Sequence, residues 1–198
     1  MSTIATHRYN KRVSQGDVYR DVYCYENISE GEGAVKVERI LFPYVIVLTQ
    51  DCDLQQHDKY VNVKSGQLFS IVVAPIYNMA DFMNGEHLLN LGLEATSFIS
   101  NKGKSIITTQ KVNSNGQLIA ENQVNRFHSL VFSRNNNDIL PPGIVDFKHY
   151  FTVGINYLKK EKSQDFVCRL LPLYRELLTQ RFSNYLSRIG LPNPKIHS

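Results

Sequence analysis

Apolar positions along this chain fall mostly at the two-residue period of strands, in short runs cut by glycine, proline and asparagine. Gly16 to Cys24 (GDVYRDVYC) is rich in valine and tyrosine and alternates in character, which predicts a strand. Asn27 to Gly33 (NISEGEG) is polar and glycine-bearing and predicts a turn. Val35 to Ile40 alternates strictly, as a half-buried strand does. Pro43 then opens Tyr44 to Leu48, a run without alternation that suits a central strand covered on both faces; Leu68 to Ala74, closed by Pro75, is a second such run. Between Asn78 and Leu93 the pattern predicts one or two short helices broken near Gly85. Ile106 to Val112, Phe127 to Ser133, His149 to Val153 and Phe166 to Leu170 complete the expected strands. An asparagine-rich loop and Pro141-Pro142-Gly143 separate the second and third of these four.

The period changes at the end. Tyr174, Leu178, Phe182, Tyr185 and Ile189 form one stripe at helical spacing, with Pro172 in the first turn and Gly190 and Pro192 as the stop. Arg181 and Arg188, seven apart, project along one border of that stripe, and Arg175 points to the opposite side. The expected fold is α+β and a single domain over residues 1–198. A small, strongly bent antiparallel barrel takes residues 14–170, with a helical insertion near 78–93, and an amphipathic C-terminal helix over 171–190 packs on it.

A chain of 198 residues with 42% apolar positions can bury a core without disulfides or a structural metal, and no cofactor motif is present. Cys24, Cys52 and Cys168 are widely spaced, which fits a reducing compartment. The N-terminus lacks an apolar signal region and no apolar run is long enough to span a bilayer, so the expected location is the cytoplasm with no membrane partner. Net charge is +4 and uneven: from Lys159 onward eight Lys/Arg face three Asp/Glu. That asymmetry is either a solvated helix face or a surface for an acidic partner, RNA or an acidic protein.

The most unusual local composition is Thr49-Gln-Asp-Cys-Asp-Leu-Gln-Gln-His57-Asp58, directly after the Tyr44 to Leu48 run. With an extended backbone, Asp51 and Asp53 would share one side, and His57 could join them if the chain turns back. Four readings stay open. The carboxylates cap a turn or a short helix beginning near Leu54; they pair with Arg181 or Arg188 and lock the last helix onto the barrel; Asp51, Asp53 and His57 form a catalytic or ligand site; or Cys52 is reactive. Two flanking carboxylates disfavour a thiolate, so Cys52 reads as a small buried hydrophobe.

Gln15-Gly-Asp-Val-Tyr19, Pro43-Tyr-Val-Ile-Val-Leu48 and Val72-Val-Ala-Pro-Ile76 together resemble the PemK/MazF family of toxin-like small barrels over roughly the first eighty residues. The resemblance implies an SH3-like, partly closed barrel and, in functional members, sequence-selective RNA cleavage without a metal. Phe42 stands where the family has arginine and Tyr77 where it often has Thr or Ser, so the family's acid–base pair is not carried over. Two functions follow as expectations. In one, the chain is a toxin-like barrel that binds nucleic acid through Arg181 and Arg188, a diverged endoribonuclease with His57 moving the proton and Asp51 or Asp53 orienting it. In the other, it is a non-enzymatic interaction module or regulator of a bacterial or phage defence or toxin–antitoxin system, with Asp51 and Asp53 structural. A homodimer is compatible with both.

Overall fold

The computed structural model describes residues 3–31, 34–59, 67–88, 91 and 125–187. Among them, eight strands form one antiparallel sheet: β1 (Ile4–Thr6), β2 (Asp17–Gly31), β3 (Ala34–Val47), β4 (Ile71–Asn78), β5 (Phe127–Arg134), β6 (Asn137–Asp146), β7 (Phe151–Val153) and β8 (Phe166–Leu170). The order is β1-β8-β2-β3-β4-β6-β5, with β7 also paired to β4. Three α-helices accompany it: α1 (Asp51–Lys59), α2 (Met79–Asn84) and α3 (Pro172–Leu186). The architecture is mixed α+β, a curled antiparallel half-barrel. Its two end strands meet at Thr3, whose N–H donates to Ser133 of β5 at 3.1 Å while its carbonyl accepts from Leu171, just past β8, at 3.0 Å. Among the described residues no helix is long and apolar enough to cross a membrane.

The run without alternation is central, as its pattern predicts. In β3, Ile46 joins one buried cluster and Val45 and Val47 another, so both faces of the strand are covered. Leu130, Phe132, Val145, Phe147, Leu178 and Tyr185 complete the first cluster, under α3; Tyr19, Leu54, Ile71, Val73 and Leu158 belong to the second. Asn78 caps α2 through its side chain, and Gly85 ends it at φ +78°, a left-handed conformation that suits glycine.

Several boundaries differ from the expectation. Asn27 to Gly31 is strand, not turn, and β3 runs unbroken through Pro43. The register stays continuous there because the residue opposite, Asp21, takes φ +55° and the ladder skips that one pair. The segment holding Pro141 and Pro142 is also strand. The β5–β6 register shifts between Leu130 and Phe132, so the two exposed prolines sit in a bulge where no ladder N–H is needed. Asn135 and Asn136, with φ of +51° and +64°, make the tight turn joining these strands. His149 closes a 3-10 turn, Phe147–His149, and does not begin a strand. The expected strand Ile106 to Val112 and the expected stop at Gly190 lie outside the described residues.

Candidate functional site

The acidic cluster after β3 forms on a helix. Thr49 leaves the sheet tied to β4, its hydroxyl accepting from Val72 N at 2.7 Å, and Leu54 N then bonds Gln50 O at 3.2 Å to start α1. Asp51 and Asp53 lie in the first turn, where carboxylates complement the helix dipole. Two positions apart on a helix is about 200° of rotation, so the two carboxylates diverge. Asp51 faces inward and Asp53 is exposed. Cys52 is exposed too, correcting the expectation of a buried thiol, since α1 buries only Leu54; its Sγ lies 3.5 Å from Gln50 Oε1 and 3.7 Å from Asp53 Oδ1. His57 does not turn back to the aspartates: its Nδ1 accepts from Leu68 N at 3.0 Å.

Asp51 is the hub of an internal junction. It accepts from Gln15 N at 3.0 Å and Arg12 Nη2 at 3.3 Å, and it is paired with Arg175 Nη1. The Gln15-Gly16-Asp17 turn supplies the rest. Gln15 Nε2 donates to Thr179 Oγ1 of α3. Gly16 holds φ +74°, and a β-carbon there would stand 2.6 Å from Arg175 Cγ, so the arginine stem crosses a position only glycine leaves open. Asp17 is fully buried, accepting from Ser14 N at 2.8 Å and from both Nε and Nη2 of Arg169, the latter at 2.9 Å. Burial pushes the Asp17 carboxyl up to about 6 against the pull of Arg169.

Arg181, one of the two arginines expected to meet the aspartates, lies elsewhere. Arg181 donates to Phe127 O at 2.8 Å, and Arg188 lies outside the described residues. The basic C-terminal segment is largely spent inside the molecule: Lys159 pairs with Asp58 at 2.7 Å, Lys162 with Asp165 at 3.0 Å, Arg169 with Asp17 and Arg175 with Asp51. Three of these four pairs answer acidic groups of the first sixty residues, and the fourth lies within the segment itself.

A second polar cluster has no counterpart in the sequence reading. Buried Asp146 at the end of β6 accepts Arg126 Nε at 2.8 Å and Lys148 N at 2.9 Å, and lies 3.5 Å from His149 Nδ1, which contacts Tyr77 OH at 2.8 Å. His87 packs against Phe82 and edge-on to Tyr77, with ring centroids 4.4 and 4.8 Å away. Burial lowers the His149 pKa and takes that of His87 down to about 4. Tyr77 and His87 are themselves buried, while the side chains of Arg126 and His149 are about a third exposed. His128 is a second buried imidazole; neither ring nitrogen has a hydrogen-bond partner among the described residues, and burial, aided by Arg181, brings its pKa to about 3. No group of three His, Cys, Asp or Glu among the described residues could hold a metal ion.

Two surface features remain beside the groove of about 440 Å³ that Gln15, Gln50, Asp51, Cys52, Glu176 and Thr179 line at the junction. A groove of about 410 Å³ at the β1–β5 seam is lined by Thr6, His7, Arg8, Arg134, Asn135, Asn137 and Ile139, without a carboxylate. The other is the β2–β3 hairpin, which outruns its neighbours: β8 pairs only with Asp17–Tyr19 of β2, and β4 only with Val45–Val47 of β3. Beyond Val22 and Phe42 its outward side chains Tyr25, Val37 and Leu41 are 55%, 44% and 41% exposed. No protein-family model matches this chain, and a search of curated proteins gives no significant match.

Proposed function

We propose that this chain is a non-enzymatic interaction module on a small SH3-like barrel, a subunit or regulator of a bacterial or phage-borne defence or toxin–antitoxin system. The observation carrying this reading is the outer half of the β2–β3 hairpin, an arm whose Tyr25, Val37 and Leu41 are exposed on the face away from Cys24 and Ile40, which pack against the second buried cluster. Two of the three groups expected to serve a nuclease are engaged by the fold: Asp51 accepts from two arginines and a backbone amide, and His57 accepts from a backbone amide. The operon setting rests on the resemblance of Gln15 to Tyr19 and Pro43 to Leu48 to the toxin-like barrels. The test is to incubate the purified chain with single-stranded RNA, with and without Mg²⁺, and to shorten the hairpin by joining Tyr25 to Arg39 through Asn-Gly. RNA left intact and a shortened chain with unchanged Tm are expected. RNA cleavage abolished by His57→Ala at unchanged Tm overturns the reading.

One observation favours a second reading, a nucleic-acid-binding barrel of the diverged ribonuclease kind. The seam groove offers His7, Arg8 and Arg134 to a phosphate backbone with no carboxylate lining it. On this reading RNA binding weakens steeply with salt, and Arg8→Ala with Arg134→Ala lowers it further. Binding unchanged between 50 and 500 mM salt removes it.

A further inference from the structure

We propose that the groove at the β1–β5 seam binds the phosphate group of a small phosphate ester, held between Arg8 and Arg134. The inference goes beyond the interaction-module reading and does not rest on it. It also differs from an RNA-binding groove in taking one terminal phosphate instead of a chain of diesters. Both ends of the curled sheet build the groove. Thr6, His7 and Arg8 line it from the end of β1, and Arg134, Asn137 and Ile139 line it from the β5–β6 turn. Its volume of about 410 Å³ lies within the roughly 300–1,000 Å³ of small-molecule sites.

The chemistry of the lining selects an anion. Arg134 Nη1 contacts His7 Nδ1 at 2.9 Å, and a guanidinium has donors only, so His7 accepts there and carries its proton on Nε2. This bond to a neutral ring leaves the charge of Arg134 uncompensated. The groove thus gathers two permanent cations, an imidazole N–H and the Asn137 amide. Asp138, the nearest acid in sequence, alternates to the other face of β6 from Asn137 and Ile139 and does not line the groove. Two guanidinium forks match a terminal phosphate, which presents three acceptor oxygens at a charge of about −1.5 to −2, better than a diester with its single charge. Placement adds a consequence. The sheet closes here through Thr3, whose N–H donates to Ser133 O at 3.1 Å and whose hydroxyl accepts from Ser133 N at 3.2 Å. A phosphate bridging Arg8 and Arg134 ties the same two ends together and stabilises that closure.

The experiment titrates the isotopically labelled full chain, at constant ionic strength, with inorganic phosphate, adenosine 5′-monophosphate, adenosine and a single-stranded RNA bearing a 5′-hydroxyl. With phosphate and the monophosphate, NMR is expected to show amide shift changes confined to residues 6–8 and 134–139 and slower exchange of Ser133 N–H. Adenosine should give none, and Arg8→Gln or Arg134→Gln should weaken binding about tenfold. A spectrum unchanged away from the seam verifies that each variant is folded. Shift changes that survive both substitutions, or that adenosine reproduces, overturn the proposal. RNA binding at the groove with no response to the monophosphate overturns it in favour of the phosphate-backbone reading. Binding that leaves exchange at Ser133 unaltered overturns the bridge between the two arginines. The hairpin test of the module reading is independent of all these outcomes.

Discussion

The two halves of the β2–β3 hairpin are made of similar residues and have opposite fates. At its root, Val18, Tyr19, Val22, Val45, Ile46 and Val47 are fully buried. Further out, Tyr25, Val37 and Leu41 stand in solvent. Both halves are valine- and tyrosine-bearing and both are antiparallel ladder, the outer one shifted in register between Tyr25 and Asn27. The difference is neighbours: among the described residues β8 and β4 flank the root, and α1 and α3 cover its faces, while the outer half pairs only with its partner strand and packs only its Cys24–Ile40 face against the second cluster. Side-chain chemistry makes burial favourable, and adjacency decides whether it happens. The root also carries the polar junction.

Substitutions along the hairpin should grade accordingly. The largest effect is expected for Asp17→Ala, which strands the Arg169 guanidinium in the junction; a loss of about 3–5 kcal/mol in urea unfolding is the outcome for breaking a buried pair from one side. Gly16→Ala follows, at about 1–3 kcal/mol, for the left-handed backbone, with Arg175 displaced as well. A result under 0.5 kcal/mol for either substitution would mean that the root is not the rigid half.

Acid sharpens the same contrast, because the body holds buried neutral imidazoles and the outer arm has no histidine. His128 and His87 have folded pKa values of about 3 and about 4, below the ordinary 6.5, so the unfolded chain binds more protons as pH falls. Their contribution is complete above pH 6.5 and is lost on descending toward pH 4 and 3. Asp17, raised to about 6, acts in the opposite sense, so the comparison that reads the imidazole is wild type against His128→Leu, whose stability should fall less steeply below pH 6.5. Equal slopes would place His128 in water.

Smaller effects complete the series. Asp51→Asn is expected to cost about 1 kcal/mol, since its carboxylate is 26% exposed and water screens the pair with Arg12; the loss should shrink in high salt. Val37→Thr and Tyr25→Ser should stay within about 0.5 kcal/mol. A destabilisation above 2 kcal/mol at either site would show the arm packed against something and erase the contrast.

Much of the sheet was legible. The unalternating run at Tyr44 to Leu48 reads as doubly covered because both of its faces are apolar, and Phe127 to Ser133 and Phe166 to Leu170 read as strands from β-branched and aromatic content. Asn27 to Gly31 and Pro141–Pro142 misled because turn-forming residues are tolerated where a strand has an open edge or a bulge. The acidic cluster was visible, and so was the idea of an arginine from the last helix. Among the described residues the arginine is Arg175 and not Arg181, because a helical stripe tells which residues border the core without telling which border faces the Gln15-Gly16-Asp17 turn.

What the sequence by itself determined is therefore local: alternation, the glycine at position 16, and carboxylates placed to open α1. Only the tertiary structure decided who meets whom. Arg175 reaches Asp51 across 124 positions and Arg169 reaches Asp17 across 152, and side-chain period carries no information about contacts at such separation. They form because the curled sheet brings β8 beside β2 and lays α3 over the start of α1.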